Sequence, residues 1–195
     1  DGAQEKTVDQ KADQSEGQDE SSADSAVAAA EETVAEKQVG TKGMVPVPAS
    51  ELKDGVYPVN VDSSSSMFQI EGCELTVKNG EMTADMKMGG TGYLKLYMGT
   101  GAEAVNASEE DMIPYKEASD GSHHFTVPVE ALDQEIDCSA FSKKKEKWYD
   151  RVLVFRADSL PDDAYLESRQ VTAESLGLAD GSYTVEVSME GGSGK

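Results

Sequence analysis

Nothing in this sequence of 195 residues approaches the run of ~18–20 apolar residues that would cross a bilayer as a helix. Positive charge is short as well: 17 Lys and Arg stand against 38 Asp and Glu, a net charge of −21 at pH 7. A surface this acidic repels phosphate backbones, so nucleic acid is excluded as the expected partner. Aromatic residues make up 6% of the chain, and none precedes Tyr57. The two cysteines, Cys73 and Cys138, are too few for a zinc cluster; by count they are either a disulfide or two buried thiols. The catalytic signatures G-x-S-x-G, H-E-x-x-H, the P-loop and the dinucleotide-binding glycine motif are all missing, and the expectation is a protein that is not an enzyme. The chain also opens on Asp-Gly-Ala-Gln with neither an initiator Met nor a signal peptide, which reads as a targeting sequence already removed from an extracellular protein.

Residues 1–43 are dominated by Ala, Glu, Asp, Gln and Ser. Such a segment buries too little apolar area to offset ~1–2 kcal/mol per residue of ordering entropy, and it reads as a disordered acidic tether ahead of a protease-resistant core that starts near Met44. Met44 opens the folded part, which runs to residue 157, and from Val56 the texture changes to period two. Val56, Tyr57, Val59 and Val61 suggest a strand with Pro58 at a sheet edge. Residues 68–78 form another, closed by Asn79-Gly80, a type I′ hairpin signal. Its partner puts Met82, Ala84, Met86 and Met88 on one face, a stripe that reads as core rather than as a metal site. Tyr93 to Met98 alternates again, and Phe125, Val127 and Val129 start a further strand. Residues 134–140 and 147–156 supply the last two. Short strands, Gly-rich turns and no long amphipathic helix predict an all-β, immunoglobulin-like antiparallel sandwich. Adjacent His123 and His124 point to opposite faces of a strand and cannot chelate one ion.

Residues 52–61 (LKDGVYPVNV) and 178–187 (LADGSYTVEV) share Leu, Asp, Gly, Tyr, Val and Val in register. This internal repeat predicts a linker over residues 158–174 and the first strand of a second, similar domain over residues 175–195. Cys73 shares a face with Leu75 and Val77, and Cys138 shares one with Ile136 and Ala140. Both thiols are therefore expected to point inward, and a Cys73–Cys138 disulfide is the expectation, worth roughly 4 kcal/mol in the chain-entropy model.

Residues 141–155 (FSKKKEKWYDRVLVF) concentrate Lys143, Lys144, Lys145, Lys147 and Arg151 beside the only tryptophan. Lysines at a hairpin turn guard an edge from aggregation, or they attract an anion to a mouth with an aromatic floor. Residues 63–68 (SSSSMF) run from polar into two large apolar side chains, as a loop does when entering a strand.

The S-x-x-M-F, V-K-N-G and K-K-x-K-W-Y-D segments, with the Phe125-x-Val-x-Val strand between them, resemble a NEAT domain, the iron-transport-associated module of Gram-positive surface proteins. The likeness covers roughly residues 50–157 and extends to Firmicutes surface lipoproteins that carry such domains in tandem. It implies an extracellular module at the bacterial cell surface that captures haem or another iron compound. The alternatives are an adhesion module for a protein or glycan, or a structural spacer. In haem-binding members the closing strand carries Y-x-x-x-Y; Tyr149 matches the first tyrosine, the iron ligand, and Leu153 stands at the second. A short helix with S-x-x-x-x-Y covers the porphyrin in the family; Ser63 matches its start and Phe68 replaces the tyrosine. The resemblance thus implies a ligand groove formed by Ser63, Met67, Phe68, Tyr149, Arg151 and Leu153. On the closing strand, Val152 and Val154 make the tidier core pair, which would turn Tyr149 and Leu153 toward an outer groove; the alternative is that Tyr149 and Phe155 fill the core and Trp148 lies on the surface.

Overall fold

The computed structural model describes residues 26–29 and 36–167. Twelve strands and one α-helix lie among them, and the twelve strands pair with one another only antiparallel. The strand expected around Val59 is two strands, β2 (Gly55–Pro58) and β3 (Asn60–Ser63), which belong to different sheets. Pro58 sits at the end of β2, an edge strand, where its missing N–H costs no ladder bond.

One sheet has the order β2, β4 (Ile70–Lys78), β5 (Glu81–Met88), β9 (His123–Pro128), β8 (Lys116–Glu117). The β4–β5 turn has Asn79 at φ 53° and Gly80 at φ 78°, the two left-handed residues a type I′ turn requires. The methionine face of β5 is core: Met82, Ala84, Met86 and Met88 are all buried, as are Phe125 and Val127 on β9 and Val129 just beyond it. The other sheet has the order β3, β12 (Trp148–Arg156), β11 (Ile136–Ser142), β6 (Tyr93–Tyr97), β7 (Ile113–Pro114). A small third ladder pairs β1 (Val47–Pro48) with β10 (Ala131–Leu132). The two large sheets close on one apolar core that includes Phe68, Leu75, Met86, Leu96, Phe125 and Phe155. This is an all-β sandwich. The long irregular connection after β6 holds helix α1 (Gly101–Asn106), started by a capping box between Thr100 and Glu103. The hydrogen bonds that Glu103 accepts from Thr100 hold its carboxyl below the usual range.

Three expectations are corrected here. Cys73 and Cys138 do face the core, but both are free thiols. They sit on strands of opposite sheets, each fitted among apolar neighbours, and burial pushes both up to about 12. The tether is the second correction. Residues 36–43 lie on the sandwich: Lys37 N–H donates to the Ser64 carbonyl (2.7 Å), Arg156 donates to the Val39 carbonyl (2.6 Å), and Val39 is 6% exposed. Val27, further back, bridges Trp148 in parallel. Third, the segment expected to be linker is part of the domain as far as residue 167. Leu160, Ala164 and Tyr165 join the core, Tyr165 bridges Leu52, and its hydroxyl donates to the Ala157 carbonyl. Most of the expected tether, and the repeat at residues 178–187, lie outside the described residues.

The packing of Val39 gives a direct test. A chain starting at Met44 is expected to be less stable than one starting at Glu36 by about 2–3 kcal/mol, from the burial of one valine and one charge-assisted hydrogen bond. Urea unfolding of the two chains measures it; equal midpoints would make residues 36–43 a mere tether.

Candidate functional site

Strand β12 carries the residues on which the resemblance rests, and the structure assigns its faces opposite to the sequence reading. Leu153 and Phe155 are fully buried in the core, so the odd-numbered face points inward. Trp148, Val152 and Val154 face the other way, where cover comes from outside the sheet. Helix α1 packs on β11 and β12, the Gly101 N–H donates to the Asp150 carboxylate (2.6 Å), and a Cβ on Gly101 would meet both Trp148 and Val27. Leu153, proposed as a groove wall, is therefore a core residue. The reason is that both faces of β12 are covered, so period two no longer separates inside from outside.

Tyr149 and Arg151 share the inward face near the end of the sandwich. Tyr149 is 9% exposed, and the Arg151 guanidinium lies 5.3 Å over its ring. Arg151 is 4% exposed. Its Nη1 donates to the Asp150 carbonyl (2.7 Å) and its Nη2 to the Tyr93 hydroxyl (3.2 Å), while its Nε is buried with no hydrogen-bond partner. Among the described residues no carboxylate forms an ion pair with it. Tyr93 reaches on to the Met67 carbonyl (3.4 Å), and its ring packs on Phe68 at 5.4 Å. Tyr149 is thus joined to the turn at Met67 and Phe68 through Arg151 and Tyr93. Met67 itself projects, 61% exposed, whereas Phe68 is buried at 1%. Sequence reasoning missed Tyr93, whose position on a neighbouring strand only the register of β6 on β11 reveals, Tyr93 lying opposite Ser142.

The same end carries the lysines. Ser142 and Lys147 close the β11–β12 turn, with Ser142 N–H donating to the Lys147 carbonyl, and Lys143, Lys144 and Lys145 are exposed on it. Outside this turn, Lys95 lies over the rings of Phe141 (5.6 Å) and Trp148 (5.8 Å), a cation–π cluster on the outer face.

Ser63 lies elsewhere, in a groove of about 560 Å³ between the N-terminal segment and the start of β4. Lys37, Gln38, Ser65, Ser66 and Gln69 supply polar groups, and Phe68 and Ile70 an apolar floor. Tyr149, Arg151 and Leu153 do not line it. The six groove residues expected from the sequence are therefore separated: Ser63 lies at this groove, Met67, Tyr149 and Arg151 at the sandwich mouth, Phe68 between the two, and Leu153 in the core.

One further polar cluster lies on the opposite sheet. His124 Nδ1 is 2.7 Å from Asp85, its Nε2 is 3.1 Å from the Ser122 hydroxyl, and that hydroxyl is 2.5 Å from Asp120. A hydroxyl, an imidazole and a carboxylate in a row suggest a nucleophile, but the Ser122 proton points to Asp120 rather than to the imidazole. Bonds from the Ser122 hydroxyl and N–H, with Lys87 beside them, hold the Asp120 carboxyl well below its usual range. An oxygen held between a carboxylate and an imidazole in this way is a structural link rather than an activated nucleophile.

No family model matches the chain, and no curated protein matches it in sequence.

Proposed function

We propose that the chain is a non-enzymatic extracellular binding module of a bacterial surface protein, NEAT-like, that captures haem or a related iron compound at the mouth of the sandwich. The observation that carries this reading is the link from Tyr149 through Arg151 and Tyr93 to Met67 and Phe68. It joins the matching tyrosine of the closing strand to Met67 and Phe68, the end of the 63–68 segment.

The residues there suit such a group in two respects. Tyr149 offers an oxygen donor of the kind that ligates ferric haem. Arg151 is a buried cation without a carboxylate, which complements a porphyrin acid. Haem would supply a ferric centre to an oxygen ligand and two carboxylates to the cations around it. Tyr149 would hold the iron side, Phe68 and Tyr93 would exclude water, and the exposed lysines of the β11–β12 turn would draw the anion in. Leu153 has no part in it.

Titration of the full chain with haemin tests the proposal. A Soret band that saturates at one equivalent is expected, and Tyr149→Ala is expected to weaken binding at least tenfold while the far-UV circular dichroism is kept. A wild-type chain with no such band would end the haem reading.

A second reading rests on the groove of about 560 Å³, whose hydroxyl and amide groups beside the charged Lys37, Asp62 and Arg156 suit a hydroxyl-rich ligand such as a short glycan. Binding on a glycan array that Ser66→Trp removes and Tyr149→Ala leaves intact would select it.

A further inference from the structure

We infer that the Arg151 guanidinium is a receptor for a carboxylate, held side-on through Nε and Nη2, so that the module reads the acid groups of a flat tetrapyrrole independently of any metal. This rests on the reading of the mouth as a ligand site.

An arginine that is 4% exposed, with one N–H orphaned and no carboxylate paired to it among the described residues, is costly to keep. Its existing bonds are poor compensation, because two neutral oxygens replace the charged partner a buried guanidinium normally has. The position of those bonds is informative. Nη1 is committed to the backbone of the neighbouring residue at 2.7 Å. Nε is unpaired, and Nη2 holds a phenol hydroxyl at 3.2 Å, the longer of the two bonds. Nε and Nη2 form the edge of the guanidinium whose two N–H bonds run parallel, matching the two oxygens of one planar carboxylate.

The surroundings favour a flat organic acid over phosphate. The guanidinium lies over the Tyr149 ring on one side and joins Tyr93, packed on Phe68, on the other. A chain of net charge −21 also opposes a polyanion more strongly than a ligand with one or two carboxylates. Entry requires the turn carrying Met67 to yield: the bond from Tyr93 to the Met67 carbonyl is long at 3.4 Å, and Met67 is 61% exposed. Ser64 before the turn, paired with Val152 in both directions, and the buried Phe68 after it stay in place.

The test uses the full chain with three probes: haemin, metal-free protoporphyrin and the dimethyl ester of that porphyrin. The two metal-free probes are followed by their own fluorescence. The diacid is expected to bind the wild-type chain at least tenfold more tightly than the ester. Arg151→Met is expected to weaken the diacid by the same factor and to leave the ester unchanged. The thermal midpoint of Arg151→Met should equal or exceed that of the wild type, since an unpaired buried charge is removed; Arg151→Lys, which keeps the charge but not the fork, should retain only part of the preference. Equal binding of diacid and ester, an Arg151→Met chain that still prefers the diacid, or no binding of either porphyrin would overturn the inference. The two readings fail separately. A Tyr149-dependent Soret band without diacid preference would leave haem capture standing and remove the carboxylate receptor. Diacid preference without such a band would do the reverse.

Discussion

Raised from pH 8 toward pH 12, the domain is expected to lose stability steeply, with Cys73 and Cys138 as the cause. Both thiols are buried as neutral groups, and it is mainly the cost of desolvating the thiolate that raises each from 9.0 to about 12. For Cys73 the carboxylates of Asp85 and Glu74 add to the rise; for Cys138 the nearby Arg151 works against it and is outweighed. A thiol whose folded value is raised keeps its proton in the native state after the unfolded chain has lost its own. From about pH 9 the unfolded state therefore binds fewer protons, and stability falls with pH until the native thiols ionise near pH 12. The slope is about 1.4 kcal/mol per pH unit for each thiol, so two of them consume a large fraction of the 5–15 kcal/mol typical of a domain. Urea unfolding at several pH values between 8 and 11 measures the slope. The Cys73→Ala, Cys138→Ala double variant isolates the thiol contribution from that of the tyrosines and lysines. A disulfide would give a wild-type chain that behaves as the double variant does, and no thiol reactive in urea.

The sequence was legible wherever one face of a strand is covered and the other is wet. The methionine face of β5, the turn at Asn79-Gly80 and the edge position of Pro58 all follow from alternation and turn chemistry. Strand β12 defeats the same logic because α1, Val27 and the N-terminal segment cover its outer side. Both Val154 and Leu153 are then fully buried, and a β-branched pair is no guide to which of them faces the core. Composition likewise hid the contribution of scattered single residues. Val39 lies in an acidic, alanine-rich stretch, and Leu160 and Tyr165 flank Pro161 and two aspartates, a setting that reads as linker. A disulfide needs specific separation and orientation, which inward-facing strands alone do not supply. At the mouth, Tyr149 was legible as a residue type in a pattern. The charge buried on Arg151 and its tie to Tyr93 depend on strand register, which no local pattern encodes.

Leu153→Tyr separates the two accounts of β12 most sharply, because it introduces the second tyrosine of the resembled Y-x-x-x-Y pattern at a position the structure places in the core. Leu153 is 0% exposed and lies opposite Ile136 on β11 and Ser63 on β3. A tyrosine there must enlarge a close-packed site, a cost of about 1–3 kcal/mol. It also carries a hydroxyl among apolar side chains, a further cost of about 1–3 kcal/mol where no partner is in reach. The expected loss is therefore about 2–6 kcal/mol, enough to unfold a marginal domain, and it should appear as a lower urea midpoint with an unchanged slope. Haemin affinity should not improve in the fraction that stays folded, because the new hydroxyl would point between the sheets rather than toward a bound porphyrin. A groove-wall position would behave differently: exposed substitutions usually fall within about 0.5 kcal/mol of neutral, and a second tyrosine beside the first would strengthen the Soret band. A stable Leu153→Tyr chain with tightened haemin binding would return Leu153 to the ligand and place the core on Val152 and Val154.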